Sequence, residues 1–75
     1  MNFGDGMRMM RALRDMSQIE LSVLSGVNRD YLQKSEAGTW ELKDADKAAI
    51  RKALDWSPEA DALLEAAAVK AEVTA

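Results

Sequence analysis

Apolar residues recur every three or four positions along most of this chain, and strand-like alternation is nearly absent, so the pattern predicts an all-α fold of five helices. Met7, Met10 and Leu13 set the first stripe and predict a helix from about Asp5 or Gly6 to Asp15. Met1 to Gly6 is polar, with two glycines around Asp5; it reads as a loose arm, with Phe3 tucked against the body or disordered. Ser17 followed by Glu20 is a capping-box signature and opens a second helix, Gln18 to Ser25, with Leu21 and Ser25 on a shared face. Gly26 stops that helix, because glycine takes the left-handed cap conformation without steric cost. Asn28 is placed to cap a third helix carrying Arg29 to Glu36, which Gly38 ends, with Val27 and Leu32 pointing inward. Two helices joined so closely form an angled pair with helix-turn-helix geometry.

The fourth helix is expected from about Lys43 to Leu54. It would bury Ala45, Ala49, Ile50, Ala53 and Leu54 and offer Lys43, Lys47, Arg51 and Lys52 to solvent or a partner. Ser57-Pro58-Glu59-Ala60 combines a cap, a first-turn proline and a carboxylate, and starts a fifth helix that runs to about Lys70. Ala60, Leu63, Leu64, Ala67 and Ala71 share one stripe of it, Trp56 is placed to anchor it, and residues 71–75 are expected to fray. One stripe does not fit a solvated helix. Ile19 and Val23, four apart, form an apolar stripe on the second helix with Leu24 beside it, so either another part of the chain, such as the Phe3 arm or the last helix, covers it, or a partner does.

Seventy-five residues allow one small core. The five methionines, all within the first sixteen residues, suit adaptable packing of that core. The chain has no cysteine, which excludes disulfides and thiolate metal sites, and no histidine, which removes the commonest general base and metal ligand. Neither metal nor cofactor is expected, and the paired Asp44 and Asp46 read as the polar start of a helix rather than as an enzyme's acid and base. No apolar run approaches a membrane span and no signal-peptide pattern is present, so a soluble, cytoplasmic protein is expected. The net charge of -3 opposes nucleic-acid binding at first sight. Its distribution changes the picture: residues 1–54 carry nine basic and eight acidic side chains, a balance of +1, whereas 55–75 carry one basic and five acidic, a balance of -4.

Ser17-Gln18, Leu21, the small Ser22 and Ser25, Gly26-Val27, Tyr31-Leu32, Glu36 and Gly38 follow one another without a gap in an order that resembles the helix-turn-helix of phage repressor and Cro (XRE-type) regulators. The likeness continues to Ile50 and Ala53-Leu54 and covers roughly residues 7 to 56, implying a lambda-repressor-like DNA-binding domain over 1–56 and a C-terminal helix over 57–75. It implies that the third helix enters the major groove of an operator. Asn28, Arg29, Asp30, Gln33 and Lys34 would then face bases, Arg29 toward guanine, and Asp30 either toward cytosine N4 or bracing Arg29. Ser17, Gln18, Tyr31, Thr39 and Lys43 would lie along the phosphate backbone, with Tyr31 either bonding a phosphate or packing. Arg11 falls where the family often has an arginine that pairs with the glutamate ending the third helix, here Glu36. The family's C-terminal portion often makes a two-fold contact, which implies a homodimer with Trp56, Leu63, Leu64 and Ala67 as candidate surface. The chain departs from the family at Thr39-Trp40-Glu41-Leu42, where a basic loop with a proline is usual. Trp40 there is expected to pack over the start of the fourth helix, or else to lie near a phosphate or second subunit. The other function class left open is a protein-interaction module of the same fold, an antitoxin or antirepressor that grips a partner through the acidic last helix or the Ile19–Val23 stripe.

Overall fold

Five α-helices, with no strand among the described residues, make up a computed structural model that covers the backbone of residues 2–74 and the side chains of residues 2–67. They are α1 (Phe3–Leu13), α2 (Gln18–Ser25), α3 (Arg29–Glu36), α4 (Asp44–Ala53) and α5 (Pro58–Thr74). Helix α1 packs on α3 and α5, and α2 packs on α3 and α4. No helix among the described residues is long and apolar enough to cross a membrane.

The start of α1 corrects the expectation of a loose arm. The Asn2 side chain accepts from the Asp5 amide at 2.9 Å and caps a helix that already begins at Phe3. The two glycines, read in sequence as loop formers, instead permit close approach. A Cβ on Gly4 would sit 2.0 Å from the Ser35 carbonyl oxygen, and one on Gly6 would sit 2.6 Å from the Trp56 ring. Phe3 stacks on Trp56 with ring centroids 5.0 Å apart.

Three helices end in the same way. At the ends of α1, α3 and α4 the chain turns through a left-handed residue, Asp15 (φ 51°), Gly38 (φ 81°) and Asp55 (φ 50°). In each case the following amide reaches back across the last turn: Met16 to Arg11, Thr39 to Lys34, Trp56 to Arg51, at 2.9 to 3.0 Å. This is the Schellman arrangement, which satisfies carbonyls that a helix end leaves open. The sequence signals missed two of the three because aspartate stands where glycine is usual. Ser17 and Glu20 form the expected capping box of α2, at 3.0 and 3.1 Å.

Met7, Met10, Leu21, Leu32, Ile50 and Leu54 form the fully buried centre, joined by Val27, Leu42, Trp56 and Leu64. Several assignments change. Leu13 is 68% exposed and Ala45 is exposed, so neither belongs to the core. Trp56 and Leu64 are buried and cannot offer a surface for a second subunit; of that candidate set only Leu63 and Ala67 remain outside. Ile19, Val23 and Leu24 stay exposed, Val23 at 77%, so neither Phe3 nor α5 covers them. Helix α5 continues past Lys70 to Thr74, while the Ala71 side chain lies outside the described residues.

Two polar clusters tie the helices together. Arg11 donates to both carboxylate oxygens of Glu36, Nε to Oε2 at 2.8 Å and Nη2 to Oε1 at 2.7 Å, and its Nη1 donates to the Met16 carbonyl at 2.9 Å. The hydrogen bond to Glu36 holds the guanidinium pKa above the ordinary arginine value, against the opposing effect of burial. In the second cluster, Trp56 Nε1 donates to Asp61 at 2.7 Å and Arg51 donates to the other Asp61 oxygen at 3.1 Å while lying 4.3 Å over the Trp56 ring. That cluster fixes the start of α5 against α4.

Candidate nucleic-acid interface

Helix α3 has only eight residues, and its two faces are chemically opposite. Leu32 and Ser35 are buried and Glu36 is held by Arg11, which fixes the inward side. Successive residues turn by about 100°, so Asp30, Gln33 and Lys34 point away from the body, with Arg29 on one border and Tyr31 on the other. All five are exposed, as is Asn28. The strip is held out by a turn of three residues. Gly26 (φ 76°) closes α2 by donating to the Ser22 carbonyl at 2.9 Å, the Ser22 hydroxyl donates to the Val27 carbonyl at 2.6 Å, and buried Val27 pins the turn to the core.

Within the strip the groups are not equally available. The side-chain oxygen of Asn28 accepts from the Asp30 amide at 2.8 Å, which leaves its NH2 group to meet a partner. The side chains of Arg29 and Gln33 make no hydrogen bond or ion pair to another described residue, so both present their full donor sets. Asp30 forms no ion pair with Arg29 among the described residues, so it does not brace that side chain. Lys34 lies 5.8 Å over the Trp40 ring.

The residues assigned to the flanks divide similarly. Ser17 is committed to capping α2, Gln18 beside it is half-buried, and Lys43 is the exposed residue immediately before α4. Thr39 gives its hydroxyl proton to the Lys34 carbonyl at 3.1 Å, so it pins the loop rather than offering that donor outward. Basic charge is spent inside the molecule too. On α1, Arg11 serves Glu36, and Arg14 donates to the Leu54 and Asp55 carbonyls at 3.0 and 3.1 Å, closing the end of α4. Of the three arginines spaced three apart, Arg8, Arg11 and Arg14, only Arg11 is drawn inside; Arg8 stands at the surface beside Asp5, and Arg14 remains exposed while it makes its two bonds.

A feature absent from the sequence reading borders the strip. Tyr31 and Trp40 stack, centroids 5.5 Å apart and planes 6° from parallel, so Trp40 lies against α3 as well as beside Lys43 and Asp46 at the start of α4. The place of Trp40 by the start of α4 agrees with the expectation from sequence, but its stacking on Tyr31 does not follow from it, because no periodicity joins a helix residue to a loop residue nine positions on. Elsewhere, Met9, Ala12, Leu13, Leu63, Leu64 and Ala67 line an apolar hollow of about 500 Å³ between α1 and α5. No cluster among the described residues is arranged to hold a metal ion. Comparison of the chain with protein-family models, curated proteins and solved structures returns no match.

Proposed function

We infer that this chain is a non-catalytic, sequence-specific DNA-binding regulator of the phage repressor and Cro type, a lambda-repressor-like helix-turn-helix protein whose α3 lies in the major groove of an operator. The observation that carries this reading is the strip on α3: Arg29, Asp30, Gln33 and Lys34 stand exposed on a short helix whose other side is locked into the core by Leu32, Ser35 and Glu36. A guanidinium and a carboxamide without internal partners match the bidentate demands of guanine and adenine edges. An ordinary solvated surface does not require such fixed projection. Selection of duplexes from a random-sequence library, followed by binding of Arg29→Ala, tests the reading. Arg29→Ala is expected to cost about 1–3 kcal/mol of operator affinity and to relax preference at one base pair. Unchanged affinity would remove α3 as the reader.

Dimerisation fits the same function, since two α3 helices related by a two-fold axis reach half-sites roughly 34 Å apart. The exposed Leu13, Leu63 and Ala67 along the hollow between α1 and α5 are the surface offered for it. Leu63→Glu is expected to sediment as a monomer at concentrations where the wild-type chain is dimeric, and to melt where the wild-type chain melts once diluted to monomer, because Leu63 is 72% exposed and its loss removes association rather than core packing. A wild-type chain that is monomeric throughout would remove the dimer.

One observation favours a second reading, the protein-interaction module. Ile19, Val23 and Leu24 form an uncovered apolar stripe on α2. A salt titration against mixed duplex DNA separates the two: a regulator weakens steeply as salt rises, whereas an interaction module fails to bind even at low salt.

A further inference from the structure

We propose that the stacked Tyr31–Trp40 pair is a nonionic seat for the deoxyribose edge of duplex DNA, bordering the reading strip on the side where a basic loop is missing. This rests on the DNA-binding reading and specifies how that site grips its backbone. Tyr31 lies on the border of α3 between the outward strip and the buried side, and a residue on the border of a helix seated in a groove meets the groove wall, which is sugar and phosphate. The pair extends that border outward. Trp40 remains 47% exposed and Tyr31 41%, although stacking already hides one ring face of each.

Charge decides which part of the backbone the pair takes. Around it stand Lys34 and Lys43, but also Glu41 and Asp46, with Glu41 bonded to Lys47. These three lysines and two carboxylates leave a net charge of only +1 around the pair, so they give a phosphate little Coulombic attraction, whereas the apolar face of a sugar does not depend on it. The pair is also rigid, which lowers the ordering cost of contact. The Thr39 amide and hydroxyl both donate to the Lys34 carbonyl, at 3.0 and 3.1 Å, and buried Leu42 anchors the far end of the loop, so Trp40 is held in place from both sides.

The test is a salt series of fluorescence-anisotropy titrations on a library-selected duplex, comparing the wild-type chain with Trp40→Ala, Trp40→Phe and Lys43→Ala. Trp40→Ala should weaken binding about tenfold or more at every salt concentration, as loss of one aromatic contact does, and leave the log–log salt slope unchanged. Trp40→Phe should recover most of that loss. Lys43→Ala should instead flatten the slope by about one. Melting curves identify a variant that fails to fold, in which case Trp40→Phe against wild type decides. Wild-type affinity in Trp40→Ala, while Arg29→Ala still weakens binding, overturns the sugar seat and leaves the DNA reading standing. A flattened slope in Trp40→Ala overturns it as well, because Trp40 would then act by holding Lys34 on a phosphate. Tighter binding of the single strand than of the duplex overturns it in favour of base stacking. If the wild-type chain retains no duplex at all, the underlying reading fails, and the seat with it.

Discussion

Replacing Glu36 with glutamine is expected to destabilise the protein by about 3 kcal/mol, the cost of leaving a part-buried charge without its counter-ion. The Glu36 side chain is 7% exposed and that of Arg11 is 18% exposed, so water does not readily take over the lost bonds. For a domain of this size such a loss should lower the melting temperature on the order of 15 °C. The pair joins α1 to the last turn of α3, and the third donor of Arg11 holds the Met16 carbonyl, so one guanidinium sets three backbone segments. Its geometry rather than its net energy is what the fold uses. Replacing both partners, as Arg11→Met with Glu36→Leu, is therefore expected to recover most of the stability, because two apolar side chains avoid the desolvation that the ions suffer. Melting of Glu36→Gln within about 2 °C of wild type would show that the pair is solvated and structurally idle. The arginine end adds no pH dependence in the working range. Its folded-state pKa is raised above the ordinary arginine value by the hydrogen bond to Glu36, so its contribution is present in full below that ordinary value and is lost only as the pH rises through the folded-state one.

Local chemistry was the legible part of this chain. The boundaries of α2 and α3 follow from the side-chain caps of Ser17, Glu20 and Asn28 and the left-handed backbone of Gly26, all of which act within a few residues and need no knowledge of the rest of the fold. The outward strip of α3 was legible for the same reason, since Leu32 fixes the inward side. What failed depends on which element arrives from elsewhere. Leu13 has the same helical spacing from Met10 as Met10 has from Met7, yet α5 reaches α1 through Leu64 and stops short of covering it. For Ile19, Val23 and Leu24 the sequence leaves cover by this chain and cover by a partner both open, and the packing of α2 on α3 and α4 leaves all three outside. Trp56 is placed by the sequence to anchor the fifth helix and, by the resemblance, to offer dimer surface; its burial keeps the first role and removes the second. Instead Phe3, from the far end of the chain, stacks on it, and Asp61 takes its N–H. The Tyr31–Trp40 pair depends on the path of the loop after Gly38, which spacing cannot supply.

Gly4→Ala is expected to destabilise the protein by about 3 kcal/mol, opposite in sign to what the local rule gives. Alanine in a helix interior is ordinarily favoured over glycine by about 1 kcal/mol, and Gly4 lies within the first turns of α1. Here a Cβ would fall 2.0 Å from the Ser35 carbonyl oxygen, 2.7 Å from its carbon and 3.2 Å from the Glu36 Cα. All three are backbone atoms, so no side chain can rotate away. Helix α1 must retreat from α3, and the strain of overpacking exceeds the gain in helix propensity. That retreat also pulls Arg11 from Glu36 and loosens Met7, so the loss is not confined to the point of contact. Gly6→Ala makes a useful contrast, because its Cβ would meet only the Trp56 ring, a side chain with some freedom to shift, and a smaller loss is expected. Urea midpoints for the two variants measure the difference. A Gly4→Ala chain as stable as wild type would mean that α1 does not lie against the end of α3, and the ion pair that positions α3 would then have to be reassigned, since the same close approach brings both its partners together.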